Sequence, residues 1–297
     1  MMLQQILNGI ASGAVYALFA LGFSLIFGVQ RILNLAHGGV FMAGAFVSFY
    51  AVDTGVPFPL AILLAMVVAG LVSVLIDLIA IQPLRRRSHD IEYAAIVSTL
   101  GIDMMLISVA QQVSNTQVLR FPFGTFPIQF FTIFGLRISL LQLVIFAAVI
   151  VLTGGLGWYL NKTSFGRQIR AVAENPSTAS LLGVSPSAVY LQTFFIAGAL
   201  AGLTGVLIGL SFNSIHFLMG EPYMLKAFVV VVIGGLGSLT GAVAASLLLG
   251  VLQALAVAYL PTGVPDMLIF AILFLVLLVQ PNGLFGAAGM AARVGRK

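Results

Sequence analysis

The chain has no cysteine, and only 8 acidic and 13 basic residues among 297. The first absence excludes a disulfide framework and any thiolate-held metal. The second excludes an ordinary aqueous surface. Charged residues make up 7% of the chain, against about 25% in soluble domains. Lysine is limited to Lys162, Lys226 and Lys297, and none follows the glycine series of a G-x-x-x-x-G-K-[ST] phosphate loop. H-E-x-x-H is missing, His37, His89 and His216 are scattered, and no G-x-S-x-G elbow occurs. This chain is therefore not itself a P-loop ATPase, and an intramembrane hydrolase has little to stand on.

What is present is hydrocarbon. Hydrophobic residues make up 61% of the chain, with a mean hydropathy of +1.15, so lipid must be the solvent for most of its surface. A net charge of +5 and a pI near 9.8 do not indicate nucleic acid. That would need basic residues on a solvated face beside aromatic or polar groups. Here they flank apolar runs, as in the cytoplasmic loops of membrane proteins.

A membrane-crossing helix needs roughly 20 mostly apolar residues. Runs of that length occur near 6–28, 59–82, 93–111, 138–160, 188–212 and 240–260, with shorter ones near 37–52, 225–236 and 266–280. The expectation is an all-α, multi-pass membrane protein of about 8–9 transmembrane or re-entrant helices, forming one domain over 1–297. The N-terminus lacks the basic n-region of a signal peptide, so the first run reads as a retained span.

Basic residues cluster at Arg85, Arg86 and Arg87, at Lys162, Arg167 and Arg170, and in the tail at Arg293, Arg296 and Lys297. All three sites are expected in the cytoplasm. Even numbers of runs separate them. The N-terminus lies outside if 37–52 crosses, and inside if that run re-enters. The polar and aromatic stretch 113–136 falls opposite the cytoplasmic side.

Two glycine-rich breaks interrupt the short runs, Asn34-Leu35-Ala36-His37-Gly38-Gly39 and Gly234-Gly235-Leu236-Gly237-Ser238. Irregular backbone at membrane depth survives only where protein or a watery cavity satisfies it. A pair of short, glycine-interrupted segments points to a transport path. Close helix packing is the competing reading, and it is the expectation for Gly198/Gly202 and Gly205/Gly209, each spaced as G-x-x-x-G. Asp77 and Asp103 fall within apolar runs. Each is a candidate proton carrier or a hydrogen-bonded structural residue.

The segment 163–187 is the largest polar stretch on the cytoplasmic side. It predicts a short helix from Phe165 to about Glu174, a break at Asn175-Pro176, and a second short helix stopped near Gly183. Such an amphipathic element can lie on the membrane or dock into a partner's groove.

Taken in order, four stretches resemble the LivH-type permeases of branched-chain amino acid ABC importers over nearly the whole chain. They are Asn8-Gly9-Ile10 through Leu21-Gly22 with Asn34 to Gly38; Gly166-Arg167, Arg170 to Asn175 and Leu182-Gly183-Val184; Met219-Gly220, Lys226-Ala227-Phe228 and Gly234 to Ser238; and Gln280 to Gly286. Gln168 departs from the small residue more usual after Gly-Arg.

The resemblance implies a type II-like ABC importer permease fold in the bacterial inner membrane. Residues 160–187 would be the coupling loop that docks on the ATPase subunits, with Gly166, Arg167, Arg170, Glu174, Asn175, Ala179, Leu182 and Gly183 as its contacts. It also implies a second related permease subunit and a periplasmic substrate-binding protein. ATP would be used by the partner subunits, with no cofactor in this chain. Asn34, His37, Gly38, Glu221, Gly234, Gly235 and Gly237 are the substrate-path candidates. Branched-chain or other neutral amino acids, urea or amides would be the cargo. An ion-coupled carrier acting through Asp77 and Asp103 is the alternative.

Overall fold

A computed structural model describes residues 2–87, 91–133, 135–280 and 283–284. In chain order its elements are α1 (Met2–Gln30), α2 (His37–Asp53), α3 (Phe58–Ile76), a π turn (Asp77–Ile81), α4 (Gln82–Arg87), α5 (Ile91–Val113), β1 (Phe130–Ile133), β2 (Leu136–Ser139), α6 (Leu140–Lys162), α7 (Ser164–Glu174), α8 (Pro176–Leu181), α9 (Pro186–Phe212), α10 (Gly220–Gly234), α11 (Leu239–Tyr259) and α12 (Val264–Val279). Every apolar run of the sequence is a helix. His89 and the tail residues Arg293, Arg296 and Lys297 lie outside the described residues.

Length separates these helices into two classes. Six helical stretches among the described residues are long and apolar enough to cross a membrane: Met2–Gln30, Phe58–Arg85, Ile91–Val113, Leu140–Lys162, Pro186–Phe212 and Leu239–Tyr259. The other three, α2, α10 and α12, have 17, 15 and 16 residues. At about 1.5 Å per residue they fall short of a hydrocarbon core of about 30 Å. Run 225–236 starts earlier than expected, at Gly220, because Pro222 sits in the first turn, where its missing N–H costs no helical bond.

The all-α expectation needs one correction, the antiparallel hairpin of β1 and β2, which pairs Phe130 with Ser139 and Ile133 with Leu136. Aromatic and β-branched residues around Gly135, which has φ +78°, carry the hairpin signal. Its first strand lies inside the polar and aromatic stretch 113–136, and its second runs into the apolar run expected from 138.

The chain divides into two compact units. One gathers the described residues of Leu25–Phe126 and Gly155–Met224, the other those of Met1–Ser24, Pro127–Gly154 and Leu225–Lys297. In the first unit α2, α3 and α9 form the packed centre. Their pattern is inverted relative to a soluble core. Leu60, Leu63, Val67, Leu71 and Leu75 of α3 are exposed, whereas Ala61, Ala65, Ala69, Gly70 and Ser73 are buried. Lipid takes the large side chains, and small residues let the backbones touch. A Cβ at Gly198 would lie 2.4 Å from the Ser73 Cβ, and one at Gly205 would lie 2.1 Å from the Phe41 carbonyl oxygen. The G-x-x-x-G spacings of α9 are thus packing devices.

The other unit repeats the device with different partners. A Cβ at Gly9 would sit 2.6 Å from the Val251 Cα, and one at Gly250 would sit 2.4 Å from the Gly13 Cα. The first helix therefore packs backbone to backbone on α11.

Gly205→Val should lower the thermal midpoint of the purified chain in detergent, by a cost of at least about 1–3 kcal/mol for overpacking. Gly154→Ala, at a position where a Cβ meets nothing within 4 Å, should leave that midpoint unchanged or raise it. Equal behaviour of the two variants would show that the close approach along α9 is unimportant.

Candidate functional site

The first glycine break, between α1 and α2, is held by a neighbouring helix. Ala36 occupies the N-cap position of α2 and offers no side-chain acceptor. The backbone N–H of Leu35 instead donates to the Thr99 Oγ1 at 3.1 Å, and that of Gly39 donates to the Asp103 Oδ1 at 2.8 Å. Thr99 and Asp103 are four residues apart, hence on one face of α5. A carboxylate beside the first turn of a helix is also favoured by the helix dipole. Asp103 is therefore the cap of a broken helix, which answers the structural half of its two readings.

Around this break the structure gathers several of the path candidates. Asn34 is fully buried, and its Oδ1 accepts from the Ala36 N–H at 3.2 Å. Its Nδ2 finds no acceptor among the described residues. His37, also fully buried, opens α2. Gly38 lies back to back with Gly220, where a Cβ would be 2.2 Å from the Gly38 carbonyl oxygen. Glu221 follows in the first turn of α10 and is exposed, and the Tyr223 ring lies 5.3 Å from that of Phe41.

The second break belongs to the other unit. Gly235 and Gly237 have φ of +96° and +81°, a conformation that only glycine adopts readily. Ser238 caps α11 by accepting from the Gly241 N–H at 3.2 Å. A Cβ at Gly234 would lie 2.5 Å from the Gly241 carbonyl carbon, so this turn is closed on itself. The Leu284 N–H donates to the Ile233 carbonyl at 2.7 Å, which pins the end of α10. Glycine serves tight packing here whatever else it serves.

Asp77 has a different fate. The helix that began as α3 widens into the π turn Asp77–Ile81, where the Gln82 N–H bonds the Asp77 carbonyl. Pro83 explains the widening, since it has no N–H for Ile79 and its ring would strike that carbonyl in a regular helix. The buried Asp77 accepts from Arg85. The same guanidinium donates to the Gln30 Oε1 at 2.8 Å and stacks over the Tyr190 ring at 4.1 Å. Asp77 is thus an ion-paired structural residue. Gln30 and Tyr190 carry no local signal in the sequence, because their partnership with Arg85 spans distant chain segments.

The polar segment after α6 folds as α7 and α8, with three side-chain caps in succession. Thr163 accepts from the Gly166 N–H, Asn175 from the Thr178 N–H and Ser185 from the Ala188 N–H. Ile169, Val172 and Ala179 are buried. Arg167, Arg170, Glu174 and Asn175 face outward. Leu181 and Leu182 are exposed to 87% and 78%, an apolar tip among polar residues. Gly166 is buried, and a Cβ there would be 2.3 Å from the Leu160 carbonyl oxygen. Gly183 closes α8 with φ +83°.

Arg85→Met should cost about 3–5 kcal/mol, because Asp77 is left buried and unpaired. Adding Asp77→Leu should recover most of it, read as thermal midpoints in a double-mutant cycle. Asp103→Leu should cost about 1 kcal/mol through the lost cap, and Asp103→Asn, which keeps an acceptor, should cost less.

The comparisons with known proteins fit this geometry. Residues 5–277 match the family described as "Branched-chain amino acid transport system / permease component". The chain is 34% identical over 296 residues to the high-affinity branched-chain amino acid transport system permease protein LivH of Escherichia coli K12, covering 96% of this chain and 95% of that one. It is 31% identical, with the same coverage, to the permease protein BraD of Pseudomonas aeruginosa. A solved structure of PsaBC from Streptococcus pneumoniae in complex with Fab is similar at a TM-score of 0.47 and 14% identity, over 91% of this chain and 89% of that chain; at that score the likeness carries no weight. With the family match running through both helix breaks and the α7–α8 segment, this multi-pass helical membrane protein belongs to the branched-chain amino acid transport permease family.

Proposed function

We propose that the chain is the membrane-spanning permease subunit of an ATP-binding-cassette importer, carrying branched-chain or other neutral amino acids across the bacterial inner membrane. Family membership over residues 5–277 carries this reading. Residues 1–297 act as one permease domain of type II-like fold, with α2, α10 and α12 as crossing or re-entrant elements. The clusters Arg85–Arg87 and Lys162–Arg170 face the cytoplasm, and the β-hairpin faces the opposite side. The chain has no ATPase site or cofactor of its own. ATP is used by separate subunits, working with a second related permease and a periplasmic substrate-binding protein.

Residues 160–187 are the coupling loop. A partner groove would take the exposed Leu181 and Leu182, while Arg167, Arg170, Glu174 and Asn175 provide the polar rim, a division common to docking surfaces. Buried Gly166 and Ala179 anchor the loop from beneath, and Gly183 sets its exit. ATP-driven closure of the ATPase pair then moves the permease between inward and outward access. The path runs by Asn34, His37, Gly38 and Glu221 at one break and by Gly234, Gly235 and Gly237 at the other. The buried, unsatisfied amide of Asn34 suits a passing polar group. Selectivity rests mainly with the binding protein, so urea and short amides remain within the cargo class. The ion-coupled alternative loses ground because Asp77 is ion-paired and Asp103 is engaged as a cap.

Arg167→Glu combined with Gly183→Trp should abolish ATP-dependent uptake and the co-purification of P-loop ATPases, while the chain itself still folds in detergent. Undiminished uptake by that variant would rule out the coupling assignment. Uptake that collapses with the ion gradient and persists without the ATPases would restore the carrier reading.

A further inference from the structure

Within the unit that holds the hairpin, a cavity of about 490 Å³ is lined by Gln4, Asn8, Phe130, Arg137, Ser139 and Gln142 among others. Its wall is an amide network. Gln4 donates to the Arg137 carbonyl and accepts from the Arg137 N–H, both at 2.9 Å. It thereby copies the bonding of a third strand against a hairpin that alone would be marginal. Gln4 also donates to the Asn8 Oδ1 at 3.3 Å, which accepts from Gln142 at 3.4 Å. Ser139 and Gln142 satisfy one another's backbone N–H groups at 3.1 and 3.0 Å, as a capping box does. The first turn of α6 is thus capped from within.

These bonds consume the amides and fix the Arg137 backbone, yet they leave its guanidinium uncommitted. Among the described residues, the ion pairs are Arg85–Asp77 and Lys226–Asp266 only. A positive charge clamped on a rigid backbone, with no counter-charge, suits an anion supplied from outside. The surroundings identify the source. The cavity lies where β2 gives way to the apolar helix α6, beside the start of α1, itself an apolar span. Phe130 and Phe131 are exposed on β1, at 65% and 42%. Aromatic side chains mark the membrane–water interface, and arginine binds phosphate oxygens in a forked geometry.

We infer that this cavity is a phospholipid headgroup site, in which the Arg137 guanidinium takes the lipid phosphate while Phe130, on the same face of the hairpin, rests against the interfacial part of the lipid. The inference rests on the chain spanning a membrane and not on ATP coupling, so the two can fail separately.

The test is native mass spectrometry of the full chain in micelles containing equal phosphatidylglycerol and diacylglycerol. The wild type should retain phosphatidylglycerol in preference to diacylglycerol. Arg137→Gln should reduce that preference by about tenfold, the scale of one lost charge-assisted interaction. Arg137→Lys, which keeps the charge and loses the fork, should fall between, and Arg120→Gln, outside the cavity, should match the wild type. Competition with inorganic phosphate separates the sources. Displacement of the lipid by millimolar phosphate would make this a site for free phosphate and overturn the lipid assignment. Equal retention of both lipids by the wild type, or unchanged retention by Arg137→Gln, would overturn it as well. So would an Arg137→Gln variant that keeps its lipid and loses capture of a periplasmic binding protein, because Arg137 would then serve protein docking.

Discussion

A peptide group left unpaired in hydrocarbon costs several kcal/mol, and no water is at hand to relieve it. The regular helices meet that constraint internally. The two breaks cannot, and each meets it in its own way. At the break before α2, the side chains of Thr99 and Asp103 reach across from α5 to the freed N–H groups of Leu35 and Gly39. At the break after α10, Ser238 caps α11 locally, and the Ile233 carbonyl receives the Leu284 N–H. These bonds are what let the backbone be irregular at both breaks.

The same solvent decides how the helices pack. Lipid gives leucine no reason to be inside, so the interior is assigned to what fits most closely. Up to Ile76 at its end, the buried face of α3 is alanine, glycine and serine, set against Gly198 and Gly202 of α9. Burial and size are therefore anticorrelated along α3, the reverse of a water-soluble helix. The ion pair of Asp77 and Arg85 follows the same economy, since each charge is tolerated only because the other is present.

Much of this was legible in the sequence because lipid writes a strong signal. The apolar runs marked every long helix, and the G-x-x-x-G spacings of α9 marked its packed face. The sequence Thr163 to Ser185 carries its own caps and its own proline and glycine stops, so the two short helices after α6 could be read nearly to the residue. What stayed hidden depends on partners far away in the chain. Nothing beside Gly39 announces Asp103, 64 residues on, and nothing near Arg85 announces Gln30 or Tyr190. The hairpin was hidden differently, because its residues were counted by polarity when their alternation about Gly135 was the informative feature. Hydropathy reports the solvent and leaves open how far a helix extends, so length sets α2, α10 and α12 apart from the six long helices only once the structure is in view.

The π turn at Asp77–Ile81 fits one more residue into a turn than the regular helix around it. Removing a single residue there would press the ring of Pro83 against the carbonyl four residues before it, the clash that the wide turn avoids. The guanidinium lodged between Asp77 and Tyr190 depends on that clearance, because one continuous helical stretch carries both Asp77 and Arg85. The wide turn thus does two things at once: it lets a proline sit within a long apolar helix, and it sets the reach of Arg85 back to Asp77, eight residues earlier.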